Sequence, residues 1–153
     1  MTDQILKLDS FLPYRLSIAS NLVSEFISKA YSRLFGLNVP EWRLVAVIAE
    51  TEGITQQEIG SRTLMDKVTV SRAAIALEKR GLIVRVPNPG DGRSHLLSLS
   101  AEGQELYRHV VPEALALEAR IFGAFDSEQL ALFSDLIQHI SQAAGKLNKG
   151  GEE

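Results

Sequence analysis

The segment from Thr55 to Ile83, TQQEIGSRTLMDKVTVSRAAIALEKRGLI, constrains the fold more than any other part of the chain. Thr55-x-x-Glu58 has the spacing of a capping box and predicts a short helix ending near Arg62. Asp66 then caps a second helix that runs to Arg80 and stops at Gly81. Two β-rich runs follow at once, 82–86 and 95–99. Between them lies Pro-Asn-Pro-Gly-Asp-Gly-Arg-Ser, whose Gly and Pro density predicts a protruding hairpin loop. A short helix, a tight turn, a second helix bearing Ser, Thr, Lys and Arg, and a hairpin form an order suited to laying one helix in a DNA major groove.

Both flanks read as helical. Pro13 suits a first turn, and the apolar residues between Tyr14 and Phe35 recur mostly every three or four positions up to Gly36. Pro40 opens another helix that passes through Trp42, Val45, Val47 and Ile48 to about Glu50, and Gly53 breaks it. Ser100 caps a long helix over about 101–122 that Pro112 should kink. Asp126-x-x-Gln129 caps a last helix to about Lys146, with a frayed tail over 148–153. Ile5, Leu8, Phe11 and Leu12 also have helix-like spacing. The expected class is mainly α with a small β-hairpin wing, a winged helix-turn-helix with helical flanks. The expected domain is a single one over 1–153, with the lobe at 38–100 between flanks 1–36 and 101–147. The ends carry Leu6, Leu8, Phe11, Leu12, Phe122, Phe125, Leu130, Phe133, Leu136, Ile137 and Ile140. A central lobe of this size is too small to bury them all, so the flanks should pack on each other or on a second copy of the chain.

The net charge of −3 would argue against nucleic acid if it were spread evenly. It is not. Residues 54–100 hold seven basic residues against four acidic ones, a net of +3, and the remainder holds nine against fifteen, a net of −6. A basic centre between acidic ends favours phosphate at the centre and orients the molecule. The chain has no cysteine, which excludes disulfides, thiol redox chemistry and thiolate metal ligands. No apolar run approaches the roughly 20 residues of a membrane span, and no secretory signal is apparent. A cytoplasmic location is expected.

On the second helix of the opening segment, steps of about 100° put Ala73, Ala74 and Leu77 beside Val70 on the buried face. The opposite face then carries Val68, Arg72, Ile75 and Lys79, with Ser71 on its flank. Arg72 can donate two hydrogen bonds to guanine O6 and N7, and Val68 and Ile75 suit thymine methyls. Ser71 and Thr69 suit phosphate oxygens or base edges, and Lys67 at the helix N-terminus favours phosphate. A plain solvated face would explain the charges but not exposed Val68 and Ile75. In the hairpin, Arg93 is a candidate for the narrow minor groove, and Asp91 for a bidentate pair that holds it. The bland alternative is an Asp-Gly turn with a solvated Arg.

Four segments together resemble the MarR family of bacterial transcription regulators: Met65-Asp-Lys-Val-Thr-Val-Ser-Arg72, Leu77-Glu-Lys-Arg-Gly-Leu-Ile-Val84, Asp91-Gly-Arg-Ser94 and Leu99-Ser-Ala-Glu-Gly103. Each alone is weak; the combination is specific. The resemblance implies a winged helix-turn-helix in a triangular homodimer, with the first helix and the last two as the dimerisation layer. It implies an inverted-repeat operator with half-sites about one helical turn apart. It places Thr55, Gln56 and Arg62 where a supporting helix meets phosphate, and Lys67, Thr69, Ser71 and Arg72 on the reading helix. Arg93 falls at the wing tip, with Asp91 as its brace and Ser94 beside it.

Many members of that family are released from DNA by small aromatic anions or acyl thioesters. The candidates to line such a cleft here are Tyr14, Arg15, Phe26, Trp42 and Arg43, with an Arg pairing the anion and Trp42 stacking. The competing reading makes Trp42 and Phe26 core residues and leaves both Arg in solvent. Glu105, His109 and Glu113 share a helix face, but one His with two Glu more often marks an ordinary charged surface, so neither a metal nor a cofactor is expected. No nucleophile–base pair or phosphate loop points to an enzyme. The expected function is a homodimeric, ligand-responsive repressor on DNA. The alternative, favoured by the net acidity, is a winged-helix protein-interaction module that does not bind DNA.

Overall fold

The computed structural model describes residues 4–151. The chain divides into two compact units, Met1–Glu113 and Ala114–Glu153. The first begins with a 3₁₀ turn at Leu8–Ser10, followed by α1 (Leu12–Phe35), α2 (Val39–Ala49), α3 (Gln56–Thr63) and α4 (Lys67–Lys79). Strands β1 (Ile83–Asn88) and β2 (Asp91–Leu99) form the hairpin, and α5 (Ala101–Phe122) starts in this unit and ends in the second. The second unit is completed by α6 (Ser127–Gly150). The winged helix-turn-helix expected from the sequence is therefore present.

The caps explain most boundaries. Gly36 ends α1 in the left-handed conformation at φ +63°, which a Cβ would disfavour. α2 starts one residue before Pro40, because Asn38 and Glu41 form a capping box, with bonds of 2.9 and 3.1 Å. The Thr55 hydroxyl accepts from the Glu58 N–H at 3.2 Å, the forward half of the box expected there. Leu64 closes the α3–α4 turn at φ +56°, an uncommon conformation for a branched side chain. The Asp66 carboxylate accepts from the Thr69 N–H at 2.8 Å and from its hydroxyl at 2.9 Å. These bonds, the backbone one first, hold the carboxyl below the usual aspartate value of 3.8.

A depressed folded-state pKa means that the cap stabilises above the unfolded value and loses its effect as pH falls through the folded one. Asp66→Ala should therefore lower the thermal midpoint at neutral pH, with a smaller deficit at an acid pH below the ordinary aspartate value of 3.8. Melting curves for both proteins at the two pH values check this; a deficit that persists in acid would contradict it.

The core of the first unit joins α2, α3, α4, the hairpin and the start of α5. Leu44, Val45, Ile59, Ala74, Leu77, Leu97 and Val110 are all fully buried there. Ile54 adds a third, one-residue rung to the sheet, exchanging both backbone bonds with Leu97 at 3.2 and 2.8 Å. The α5 N-terminus is fastened to the turn before β1. The Ser100 hydroxyl donates to the Gly81 carbonyl at 2.6 Å and accepts from the Gly103 N–H at 3.0 Å.

Three expectations differ from the structure. The helix-like spacing of Ile5, Leu8 and Phe11 yields only a 3₁₀ turn at Leu8–Ser10 within residues 4–11, and Met1–Asp3 lie outside the described residues. So short a segment, with every described side chain exposed, gains too little to meet the cost of helix nucleation. The strands are longer and the loop shorter than the composition suggests: only Pro89 and Gly90 lie between them. Pro87 is tolerated because a two-stranded sheet offers edge positions that need no N–H. Finally, α6 continues through Gly150, where fraying was expected from Asn148, and Lys149 in its last turn favours the negative end of the helix dipole. Glu152 and Glu153 lie outside the described residues.

Candidate nucleic-acid interface

α4 turns two distinct faces outward and inward. Val70, Ala73, Ala74 and Leu77 are buried, as the 3.6-residue period requires. Val68 is 57% exposed and Ile75 47%, and Arg72 and Lys79 lie in solvent beside them. Neither cation makes an ion pair among the described residues. Exposed β-branched side chains next to unpaired cations form a surface ready to meet both apolar and acceptor groups. Ser71 is half-buried on the flank. The Thr69 hydroxyl is occupied by the Asp66 cap, so Thr69 serves the helix start as well as any ligand.

Two clefts flank α3. One, of about 570 Å³, lies between α3 and the start of α4 and is lined by Gln56, Gln57, Gly60, Ser61, Lys67 and Val70. Lys67 stands there in the first turn of α4, where Asp66 already caps the Thr69 N–H, so its own ammonium is the group that attracts anions. The other, of about 410 Å³, lies between α3 and the hairpin and brings together Thr55, Gln56, Arg85, Asp91, Arg93 and Ser94. Thr55 and Gln56, far in sequence from the wing, thus stand beside it. Arg62 is about half exposed and pairs with Glu50 at 2.6 Å, which directs its side chain at a modest cost in availability.

The wing departs from the expected geometry. Pro87 pairs with His95 but Asn88 pairs with Asp91, so Gly92, Arg93 and Ser94 form a bulge with no partner opposite. Arg93 therefore sits on the bulge, while Pro89 and Gly90 occupy the tip. Asp91 also acts differently from the expected bidentate brace. Its carboxylate accepts from the Arg93 backbone N–H at 3.0 Å, a local turn that fixes the bulge and leaves the guanidinium free. The Ser94 hydroxyl accepts from the Asn88 side-chain amide at 3.0 Å, so it holds the two strands together next to the bulge.

Arg85 escaped the sequence reading. Its guanidinium pairs with Glu78 of α4 at 2.5 Å, and the amide oxygen of Gln56, once turned towards it, accepts two bonds at 2.9 and 3.0 Å. One side chain thereby ties β1 to both helices of the helix-turn-helix. The available signal was strand alternation, since Arg85 shares the face of buried Ile83 and a charge on that face needs partners.

The ligand candidates differ in their surroundings. Trp42 is half-buried, 5.1 Å from the Tyr31 ring and stacked within 17° of Tyr107 at 6.4 Å. Burial raises the Tyr31 phenol pKa. Tyr14, Arg15 and Arg43 are exposed, and Phe26 is half-buried. His109 lies 2.8 Å from the Glu105 carbonyl, and no group of three metal-ligating side chains occurs among the described residues. No described helix is long and apolar enough to cross a membrane.

Comparison with known proteins agrees with this geometry. Residues 35–94 match the family model described as MarR family. Transcriptional regulator HosA of Escherichia coli O111:H- is 26% identical over 107 residues, covering 70% of this chain and 79% of HosA. The crystal structure of Sco3205, a MarR family transcriptional regulator from Streptomyces coelicolor in complex with DNA, superposes with a TM-score of 0.82. It is 22% identical and covers 92% of this chain and 90% of its own. CouR from Rhodococcus jostii RHA1, bound to p-coumaroyl-CoA, superposes with a TM-score of 0.79 at 25% identity, covering 90% and 96%. With the winged lobe, its exposed face and these matches together, the chain is similar to the MarR family of transcriptional regulators, through the family model over residues 35–94 and the shared fold.

Proposed function

We propose that two copies of this chain bind an inverted-repeat DNA operator and repress transcription until a small ligand, aromatic and anionic, releases them. The observation that carries the DNA reading is the outward face of α4, where Val68, Arg72, Ile75 and Lys79 are exposed with no intramolecular role. Val68, Ser71, Arg72 and Ile75 meet base edges in the major groove. Thr55, Gln56, Arg62, Lys67, Thr69 and Lys79 meet phosphate, and Arg93, with Asp91 and Ser94 shaping the bulge, reaches the minor groove. This work is done in the cytoplasm, where the DNA is.

The two-copy reading is supported by apolar side chains that one chain leaves in solvent. Leu12, Leu16, Ile18 and Leu22 on α1 are exposed, as are Leu132, Phe133, Leu136, Ile137 and Ile140 on α6. Segments 1–36 and 101–147 would form the dimerisation layer and 38–100 the DNA-binding lobe. For the ligand, the support is the likeness to CouR with its bound thioester. Arg15 or Arg43 would pair the anion, with Tyr14, Phe26 and Trp42 as the apolar wall.

Selecting bound sequences from random duplexes tests this reading, and a salt titration on the selected site follows. Log K should fall linearly with log salt, by about 0.9 for each phosphate neutralised. Arg93→Ala should weaken binding evenly across sequences and reduce that slope by about 1 while the selected bases stay the same. A chain that shows no salt-sensitive binding to any duplex would instead be a protein-interaction module, the reading its net acidity favours.

A further inference from the structure

We infer that Arg80 is a positioning residue that sets which half-site spacing the protein reads. The inference rests on the two-copy reading above. Arg80 follows the last residue of α4, and its guanidinium reaches the far end of α1. Nη1 donates to the Gly36 carbonyl and Nη2 to the Phe35 carbonyl, both at 3.1 Å. Those carbonyls belong to the C-terminus of α1, where helix acceptors lack intrahelical partners and the dipole is negative. A planar fork holds two successive carbonyls in one fixed orientation, whereas an ammonium's rotating donors do not fix a direction. Arg80 makes no ion pair with a carboxylate among the described residues, so the carbonyls are its partners.

The location gives this contact its consequence. α1 is rooted in the lobe by buried Ala30 and Tyr31, while positions 12–22 are exposed throughout. If the free portion of α1 is held by a second copy, the angle between α1 and α4 fixes the distance between the two reading helices. Apolar packing through α2, which meets both α1 and α4, brings them together without directional preference. The paired hydrogen bonds of Arg80 supply the direction, so they restrain the angle.

The test compares wild type, Arg80→Met and Arg80→Lys on the selected inverted repeat and on versions with the spacer one base pair longer or shorter. Arg80→Met should keep the selected half-site bases while its discrimination between spacers falls about two- to five-fold, the effect of losing one cation at a helix C-terminus. Arg80→Lys should fall between. The chain has no cysteine, so Ser61→Cys provides a single spin-label site per copy. The label-to-label distance distribution should broaden in Arg80→Met. Unchanged spacer discrimination with an unchanged distribution overturns the role of Arg80 alone. A wild type that is monomeric or indifferent to spacing overturns the two-copy reading, and this inference with it. If Arg80→Met does not fold, the same comparison with Arg80→Lys decides.

Discussion

Arg72→Ala should weaken binding to the selected operator by about 1–3 kcal/mol, on the order of 5- to 150-fold, and relax the preference at one base position. The reason is geometric. Arg72 stands one residue before the buried pair Ala73 and Ala74, on the face of α4 that the core does not use. No carboxylate neutralises it among the described residues, so its two parallel N–H donors remain available to guanine. Because the side chain is exposed, the melting temperature should stay close to wild type. Titration of matched and single-base-substituted duplexes, with a melting curve for each protein, separates the effects. Equal affinity and unchanged base preference in the variant would remove Arg72 from the reading surface.

Gly103→Ala should destabilise the fold by about 1–3 kcal/mol, the usual range for overpacking a filled site. At roughly 2–4 °C per kcal/mol for a chain near this length, melting should show it clearly. A Cβ at Gly103 would lie 2.0 Å from the Leu82 carbonyl oxygen and 3.0 Å from its carbon. Both atoms are backbone, so no rotamer change relieves the contact. The Leu82 carbonyl is also held in place, accepting from the Ser100 N–H at 3.0 Å. Replacing Gly by Ala within a helix favours folding by up to about 1 kcal/mol, which offsets only part of the clash. A variant that melts at or above wild type would show that the α5 start can shift away from the β1 turn at little cost.

The helix ends were the most legible part of the fold because each is decided by neighbours in sequence. Asp66, Gly36 and the Asp126–Gln129 box all stand where their residue types predict. The start of α2 was misread by one residue, although Asn38-x-x-Glu41 carried the same box signal. The buried and exposed faces of α4 were equally legible, since a period of 3.6 fixes them once one buried residue is known.

The wing was less legible. Its Gly and Pro content indicated a loop but could not show which residues the ladder would absorb. The bulge at Gly92–Ser94 follows from a register shift, which depends on both strands at once. The placing of Arg93 on that bulge, and of Asp91 on its backbone, went with it. Trp42 had a core reading and a ligand reading, and its ring contacts with Tyr31 and Tyr107 exist only once α1, α2 and α5 have met.

By itself, the sequence determined the order of elements, their caps, the outward face of α4 and the resemblance to the MarR family. These depend on interactions within a turn or two of helix, where spacing is a sufficient coordinate. Only the tertiary structure decided that Arg85 joins β1 to Glu78 and Gln56, that Gly103 must lack a side chain, and that Arg80 spans to Phe35 and Gly36. Each of those contacts closes a loop between distant segments, and the partner is selected by the packing of the core rather than by any local pattern.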